Sequence, residues 1–391
     1  MTASEQATYH FYEWDYRYRG YALFKTPVDI EPPYRSFFQP PISKQPFIDD
    51  GQVPSLFKQI GNFITPTKKT QEVEEEVLLP VPLKVEDIPE LIGFSIRFPQ
   101  GEEISALKNK AFLNILSYSY HPIAFEILGT ERDITFQFVC DQVDKKRIES
   151  QLRAYFPTAI CTPIETESFG FDRERSIAIC DFGISDEFVR PITTLDSFSI
   201  DSLASIIAVL DSLNSGEIAM LQILFKGLSS PIAKDIPYAV SDGRGGSFFE
   251  DAPEMVSCAK EKVASALFSV IVRIASQGNT DTESQKIATE LARNITKVAQ
   301  SPFNSLIPLS NEGYDYDFHE YNLHHRLSNR LGFVLNSSEL NTFAHYPHHT
   351  VVSKKLGIGK QKTKQLPRSV VGQKYLYWAY SVHHQDGNSH L

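Results

Sequence analysis

A succession of apolar segments between residues 176 and 310 constrains the fold of this chain more than any other feature. Two segments of helical periodicity alternate there with four strand-like runs, at 176–182, 216–227, 267–275 and 304–309. The second helix begins at Thr280, and Glu283 three residues later completes a capping-box pattern. The order β-α-β-β-α-β predicts a ferredoxin-like, split β-α-β arrangement.

The same order of elements occurs a second time, earlier in the chain. Phe94 and Phe136 lie in runs that alternate apolar and polar residues, as half-buried strands do. We therefore predict an α+β fold with two ferredoxin-like repeats, at 91–170 and 171–312. If the halves are repeats, Phe125 and Phe136 should be buried in the first as Leu221 and Val270 are in the second.

An insertion at 228–266 opens the central hairpin of the second repeat. Its Asp242-Gly243-Arg244-Gly245-Gly246 sequence is typical of a loop. A short helix is expected after it, near residues 254–264. The insertion is the main difference between the two repeats.

The flanking regions are predicted to be less regular. Residues 1–90 form a lead and a linker, and prolines between 27 and 46 argue against a helix or a central strand there. The many aromatic residues in 9–47 suggest that this part crosses a folded surface in extended form. Residues 313–350 are predicted as a helical extension, with helices over 318–331 and from 337. Residues 351–391 are a basic linker and tail.

Composition excludes several classes of protein. No apolar run approaches the roughly 20 residues of a membrane span, and no secretory signal begins the sequence. We expect a cytoplasmic protein with no integral membrane segment, reaching the inner face of the membrane only through partners. The net charge of −10 argues against a general nucleic-acid coat. The four cysteines are widely spaced and form no C-x-x-C pair, so a structural role is predicted: Cys140, Cys161, Cys180 and Cys258. The three in or beside predicted strands, Cys140, Cys161 and Cys180, are expected to be buried.

Histidines concentrate in the C-terminal third, which raises the alternative of a metal-dependent hydrolase. A zinc site needs ligands that converge from fixed elements. His319 and His324 are five residues apart, which places them about 140° apart around a helix. A surface or packing role is favoured for the set: His319, His324, His325, His345, His348, His349, His383, His384 and His390.

No nucleotide site is recognisable, and no cofactor is expected. The nearest approach to a P-loop, residues 357–363, has the wrong spacing and follows no apolar strand. A separate alternative is a nucleic-acid-binding module, in which cations of the 354–374 stretch neutralise phosphates. A solvated linker is the competing interpretation of that stretch. Its candidate contacts are Lys354, Lys355, Lys360, Lys362, Lys364 and Arg368.

Four blocks of sequence resemble a known family: WDYRYRGYALFKTPVDIEPPYRSFF, GEIAMLQILFKGLSSPI, KEKVASALFSVIVRIASQ and LNSSELNTFAHYPHH. They are similar to the N-terminal, non-motor region of HerA/FtsK-like ATPases of conjugation and type IV secretion (TraG/VirD-like). The resemblance runs from Tyr12 to about Arg368. In that family a RecA-like motor with a P-loop follows the linker. No Walker motif matches here, so no catalytic residue is carried over.

The resemblance implies a non-catalytic structural or docking subunit that works with a P-loop ATPase supplied in trans. Such a subunit would serve DNA transfer, DNA processing or phage defence, with DNA and a second copy of the chain as further candidate partners. Clustered aromatics on an otherwise polar tail are typical of an interaction site. The expected docking residues are Tyr375, Tyr377, Trp378 and Tyr380.

We expect the purified chain neither to bind nor to hydrolyse ATP, because phosphoryl transfer depends on a P-loop, magnesium ligands and a positioned water. Equilibrium binding of a fluorescent ATP analogue and a phosphate-release assay measure this directly. Saturable binding that persists after Lys360→Ala would reveal a nucleotide site that has no recognisable sequence motif.

Overall fold

The computed structural model describes residues 3–37, 81–85, 89–99, 104–166, 169–172 and 174–357. Over these residues the chain is an α+β protein, in which helices pack on an antiparallel sheet of nine strands. The predicted α+β class is therefore confirmed.

The N-terminal lead begins with a helix, α1 (Ala3–Tyr16), so the prediction of an extended lead is wrong for this segment. Phe11, Trp14 and Tyr18 lie at helical spacing and are at most 2% exposed. The proline argument fails here because the prolines begin only at Pro27. Phe11 and Trp14 are removed from water by packing of this helix instead of by an extended strap, whereas Tyr9, Tyr12 and Tyr16 are exposed.

The next part of the lead, residues 17–37, contains no helix and forms isolated bridges to the C-terminal extension. The backbone N–H of Phe24 donates to the carbonyl of Asn329 at 2.8 Å, and that of Val28 donates to Ser328 at 2.9 Å. The extended course predicted for the lead holds for this part. Residues 38–47 lie outside the described chain.

The first half of the sheet follows the predicted element order, with boundaries close to those expected. Its elements are β1 (Leu91–Arg97), α2 (Ala106–Leu116), β2 (Ile123–Gly129), β3 (Ile134–Asp141), α3 (Gln142–Tyr155) and β4 (Ile160–Ile164).

The second half also follows the predicted order and adds one unpredicted helix, α5, to the insertion. The capping box of Thr280 and Glu283 is confirmed at the start of α7, and the helix expected near 254–264 is α6. The elements are β5 (Ala178–Ile184), a single 3₁₀ turn (Leu195–Ser197), α4 (Ala204–Asp211), β6 (Ile218–Gly227), α5 (Ile232–Ala239), α6 (Met255–Lys262), β7 (Leu267–Gln277), α7 (Asp281–Ala299) and β8 (Leu306–Pro308).

The C-terminal extension is less helical than predicted. Its helix α8 (Tyr316–His325) ends six residues before the expected Leu331, because Arg326 adopts a left-handed conformation with φ +55°. A strand, β9 (Phe333–Asn336), and a single turn of helix, α9 (Ser337–Leu340), follow. The strand was missed because all four of its residues are buried, so it lacks the alternation that marks a half-buried strand.

The two halves form one continuous sheet. The strand order is β4-β1-β3-β2-β6-β7-β5-β8, and β2 pairs antiparallel with β6 where the halves meet. Counted outward from this junction, the strand order is β2-β3-β1-β4 in the first half and β6-β7-β5-β8 in the second, so the two orders are equivalent. β7 pairs with β6 along one edge, and its other edge is shared by β5 and β9. Both outermost strands carry a proline opposite a phenylalanine: Pro163 opposite Phe94, and Pro308 opposite Phe182.

The main apolar core lies between the sheet and the helices. Phe125 and Phe136 are 2% and 1% exposed, and Leu221 and Val270 are fully buried, which confirms the predicted burial. The opposite face of the sheet is covered by the lead and the extension. There Gly332 lies so close to β7 that a Cβ atom would come within 2.1 Å of the Ser269 hydroxyl oxygen.

Phe136→Ala should lower the free energy of unfolding by about 3–5 kcal/mol, because it removes a buried ring that packs on Phe125 and Tyr346. Urea denaturation monitored by circular dichroism measures the change. Val143→Ala is the matched control, since Val143 is 65% exposed. A loss below about 1 kcal/mol for Phe136→Ala would contradict the packing described here.

Candidate functional site

A row of six polar side chains crosses the face of the sheet that is turned away from the main core. Side chains alternate between the two faces of the sheet along each strand. Strands β1, β3, β2, β6, β7 and β5 each contribute one residue of the row to this face. The cross-strand register brings them side by side, and each is at most 6% exposed. From β1 to β5 the row is Ser95, Gln137, Glu126, Gln222, Arg273 and Asp181.

Hydrogen bonds connect five members of this polar row. Glu126 accepts from the Gln137 amide at 2.6 Å and from the Gln222 amide at 2.8 Å. Arg273 then donates from Nη1 to Gln222 Oε1 at 3.2 Å and from Nε to Asp181 Oδ1 at 2.7 Å. Buried polar groups are tolerated when they are paired in this way.

The extension docks on the row through Arg326, the residue that ends α8. Its Nε and Nη2 atoms donate to the two carboxylate oxygens of Glu126 at 3.0 and 3.2 Å. Bidentate pairs of this kind fix orientation as well as distance. The guanidinium also lies over the Phe169 ring, 4.4 Å from its centroid. The left-handed backbone of Arg326 thus aims its side chain at the junction of the two halves.

Asp181 forms a second contact between the row and the extension. Its Oδ2 lies 3.2 Å from His319 Nε2 and 3.4 Å from Arg330 Nε. Burial alone would raise the pKa of Asp181, but Arg273 and His319 outweigh it and hold that pKa well below its usual range. Burial lowers the pKa of His319 despite the neighbouring carboxylate, so its imidazole is neutral at pH 7. The imidazole also stacks on Tyr314 with ring centroids 4.0 Å apart.

A separate buried ion pair joins the insertion to the extension. Lys262 Nζ lies 2.9 Å from Glu339, and both side chains are fully buried. Glu339 also accepts from the backbone N–H groups of Ile192 at 2.9 Å and Asn336 at 2.8 Å. Burial lowers the pKa of Lys262, and the Glu339 carboxylate opposes that shift. The pair closes the capping box of α9 against the end of α6.

These networks hold layers of the protein together. The members of the row and their partners His319, Arg326 and Arg330 are at most 6% exposed, so a substrate in solvent does not reach them in this conformation. Removing one member would leave the other charges buried and uncompensated. In this state the contacts of the row serve to orient the extension on the sheet.

The histidines that suggested a metal site are dispersed. His345 Nε2 lies 3.1 Å from Asp201 Oδ1, and His348 Nδ1 lies 2.9 Å from Thr350 Oγ1. His325 stacks on Tyr321. Over the described residues, no group of three or more His, Cys, Asp or Glu side chains is arranged to hold a metal ion. Three histidines lie outside those residues: His383, His384 and His390.

The cysteines occupy three kinds of environment. Cys140 is buried as predicted, Cys180 is half-buried, and the prediction of burial is wrong for Cys161, which is exposed on the outer strand β4. Cys258, in helix α6, is buried. Burial raises the pKa of both Cys140 and Cys180 to about 12. These two thiols stay protonated at neutral pH and are poor nucleophiles.

Before the described chain ends, the C-terminal segment contacts β3 of the first half and the end of helix α4 in the second half. The carbonyl of Lys355 accepts from the Ile134 N–H at 2.8 Å, and Leu356 forms a parallel bridge with Ile134 at the start of β3. The Lys355 ammonium donates to the Leu213 carbonyl at 2.8 Å, and the Ser353 hydroxyl donates to Asp211 at the end of α4. Residues 353–356 are therefore held in a fixed position on the protein.

Of the residues predicted to contact nucleic acid, only two belong to the described chain. Lys354 is exposed, whereas Lys355 is engaged by Leu213. Outside the described residues lie the other predicted nucleic-acid contacts and the docking aromatics: Lys360, Lys362, Lys364, Arg368, Tyr375, Tyr377, Trp378 and Tyr380.

Sequence reasoning missed the polar row, although a signal for it was present. Glu126, Arg273 and Asp181 are each charged residues inside otherwise apolar strands. Charged residues in such positions are almost never fully buried unless they are paired. The partners could not be identified from the sequence, because Arg326 and His319 come from a segment whose position depends on the fold.

Comparisons with known proteins identify no family for this chain. No protein family matches the sequence, and no curated protein does. A solved structure of the glycopeptide hexose oxidase DBV29 complexed with teicoplanin aligns with 59% of this chain and 46% of its own, at 10% identity and a TM-score of 0.28. That similarity is too low to support an argument. Among the described helices, none is both long and apolar enough to cross a membrane.

Asp181→Asn should cost about 3–5 kcal/mol of stability at pH 7, because Arg273 would remain buried without its carboxylate. The folded pKa of Asp181 lies below its unfolded value, so its stabilising effect is present above about pH 4 and is lost as the pH falls toward the folded pKa. The difference between wild type and variant should therefore narrow near pH 3. Urea denaturation at both pH values measures it.

Asp317→Asn is the control for this comparison, since Asp317 is an exposed carboxylate on α8. It should change stability by less than about 0.5 kcal/mol at either pH. An Asp181→Asn effect of the same small size would show that the ion pair does not hold the sheet face together.

Proposed function

We propose that this chain is a docking subunit that orients a P-loop ATPase of the HerA/FtsK-like class, supplied in trans, through its C-terminal segment. The observation that carries the proposal is the attachment of residues 353–356 to β3 in the first half and to the end of helix α4 in the second. This segment is held at Ile134 on one side and at Asp211 and Leu213 on the other, so its position on the protein is fixed. A partner bound to it would meet the sheet in a defined orientation.

The repeat architecture supports the same proposal. Strand orders β4-β1-β3-β2 and β8-β5-β7-β6 are equivalent, which supports the inference that each half is a ferredoxin-like repeat. We infer that two such repeats joined at β2 and β6 make a rigid platform. The buried contacts of Glu126 and Asp181 then fix the extension on that platform. A platform that holds residues 353–356 in a fixed position suits a subunit that positions another protein.

The class of partner is inferred from the sequence. The four blocks that resemble the non-motor region of conjugation and secretion ATPases include residues of the lead, β6, β7 and the extension. In that family the motor follows the linker, so a motor supplied in trans would meet this chain at the same place. The aromatic residues at 375–380 would supply the apolar contacts that dominate interface energetics.

Deleting residues 370–391 should abolish capture of a HerA/FtsK-like ATPase encoded beside this chain. The melting temperature should stay within about 2 °C, because the deletion removes none of the described contacts. A tagged full-length chain and the truncated chain are compared in pull-downs with the purified ATPase. Undiminished capture by the truncated chain would place the docking role elsewhere on the protein.

Two further variants separate docking from the nucleic-acid alternative. Replacing the four tail aromatics with serine should remove ATPase capture. Replacing Lys360, Lys362 and Lys364 with glutamine should preserve capture while lowering any salt-dependent DNA binding. If the lysine variant loses DNA binding and the aromatic variant retains full ATPase capture, the nucleic-acid function replaces the docking function.

The attachment of residues 353–356 is tested by Leu356→Asp. Val352→Asp is the control, because Val352 is 89% exposed. Leu356 packs against the core and bridges Ile134, so an aspartate there should release the segment. Hydrogen exchange at the Ile134 amide should then accelerate, and ATPase capture should weaken. Faster exchange with unchanged capture would show that the attachment does not orient the partner.

A further inference from the structure

A groove of about 510 Å³ lies between α7 and the outer strands of the second half. Ala288 and Ala292 of α7 form part of its wall, and Cys180 of β5 and Pro308 of β8 form the wall on the sheet side. These are small or apolar groups, so the groove offers an apolar surface to a partner. We call it the α7 groove.

The α7 groove is cationic. Arg293 and Lys297 line it one helical turn apart, and both are exposed. None of the described residues that line the groove is a carboxylate; the remaining ones are glutamines and threonines. This charge contrasts with the net charge of −10 of the whole chain.

The equivalent position in the first half shows that the charge is not inherent in the architecture. A groove of about 510 Å³ also lies there, between α3 and the outer strands β1 and β4. Its helix contributes Lys145 together with Glu149, one cation and one anion. Both halves thus have a groove of similar volume at this position. Only in the groove of the second half are the charged lining side chains all cations.

We propose that the α7 groove binds an acidic peptide segment that carries leucine-like side chains, contributed by a protein partner. Carboxylates would pair with Arg293 and Lys297 while the apolar side chains cover Ala288, Ala292 and Pro308. Complementary charge supplies selectivity and apolar contact supplies affinity. Two cations over an apolar wall suit a peptide better than a nucleic acid, whose binding relies on neutralising many phosphates.

The lining residues of the groove lie between positions 180 and 308, so this proposal uses no residue of the tail and does not depend on the ATPase-docking proposal. The probe is a fluorescein-labelled peptide of alternating glutamate and leucine, titrated with the full chain at low salt and followed by anisotropy. Arg293→Glu and Lys297→Glu should each weaken binding about tenfold, because reversal replaces attraction with repulsion. Lys286→Glu is the matched control, with the same charge change on the same helix outside the groove.

Three results would overturn the proposal. The first is an equal effect of Lys286→Glu, which would indicate attraction by overall charge. The second is undiminished binding of a peptide with serine in place of leucine, which would exclude the apolar wall. The third is tighter binding of an oligothymidine than of the peptide. Ala292→Trp should also block binding by filling the groove; the charge reversals decide the matter if this variant does not fold.

Discussion

The carboxylate of Glu126 joins the three parts on which the rest of the structure depends. It accepts from Gln137 in the first half, from Gln222 in the second half and from Arg326 in the extension. A charge in this position is costly to bury unless its oxygens are occupied. Four donor contacts from three segments meet that requirement together. Folding of the extension onto the sheet and pairing of β2 with β6 are therefore linked through one side chain.

The polar face of the sheet also explains why the lead and the extension pack as they do. A two-layer α+β protein commonly leaves the second face of its sheet to solvent. Here that face carries paired charges, and it is covered by helix α8 and by irregular backbone of the lead and the extension. Ile30 accepts from the Ser269 hydroxyl at 2.6 Å and from the Gly332 N–H at 2.8 Å. Backbone groups of the covering segments thus form hydrogen bonds to the sheet and to each other, as buried backbone groups must. The same segments shield the ion pairs from solvent.

The sequence predicted the parts of the fold that local periodicity controls. The strands and helices of both halves, the capping box at Thr280 and the burial of Phe125 and Phe136 follow from spacing alone. Helix α1 was not predicted, although Phe11, Trp14 and Tyr18 have helical spacing, because the prolines that argue against a helix lie in the same aromatic-rich stretch, from Pro27 onward. Strand β9 and the polar row depend on contacts between segments far apart in the chain. Glu126 and Arg326 are 200 residues apart, and no local pattern reports such a pair.

The prolines in the two outermost strands bear on how this protein can assemble. Proline lacks the N–H that a further strand would need, and unpaired strand edges otherwise invite edge-to-edge association. Pro163 in β4 and Pro308 in β8 therefore disfavour growth of the sheet at either end. Copies of the chain, or a partner with a free strand, would gain little by adding to it. Association through side-chain contacts of the helical surfaces is therefore favoured over edge-to-edge addition of strands.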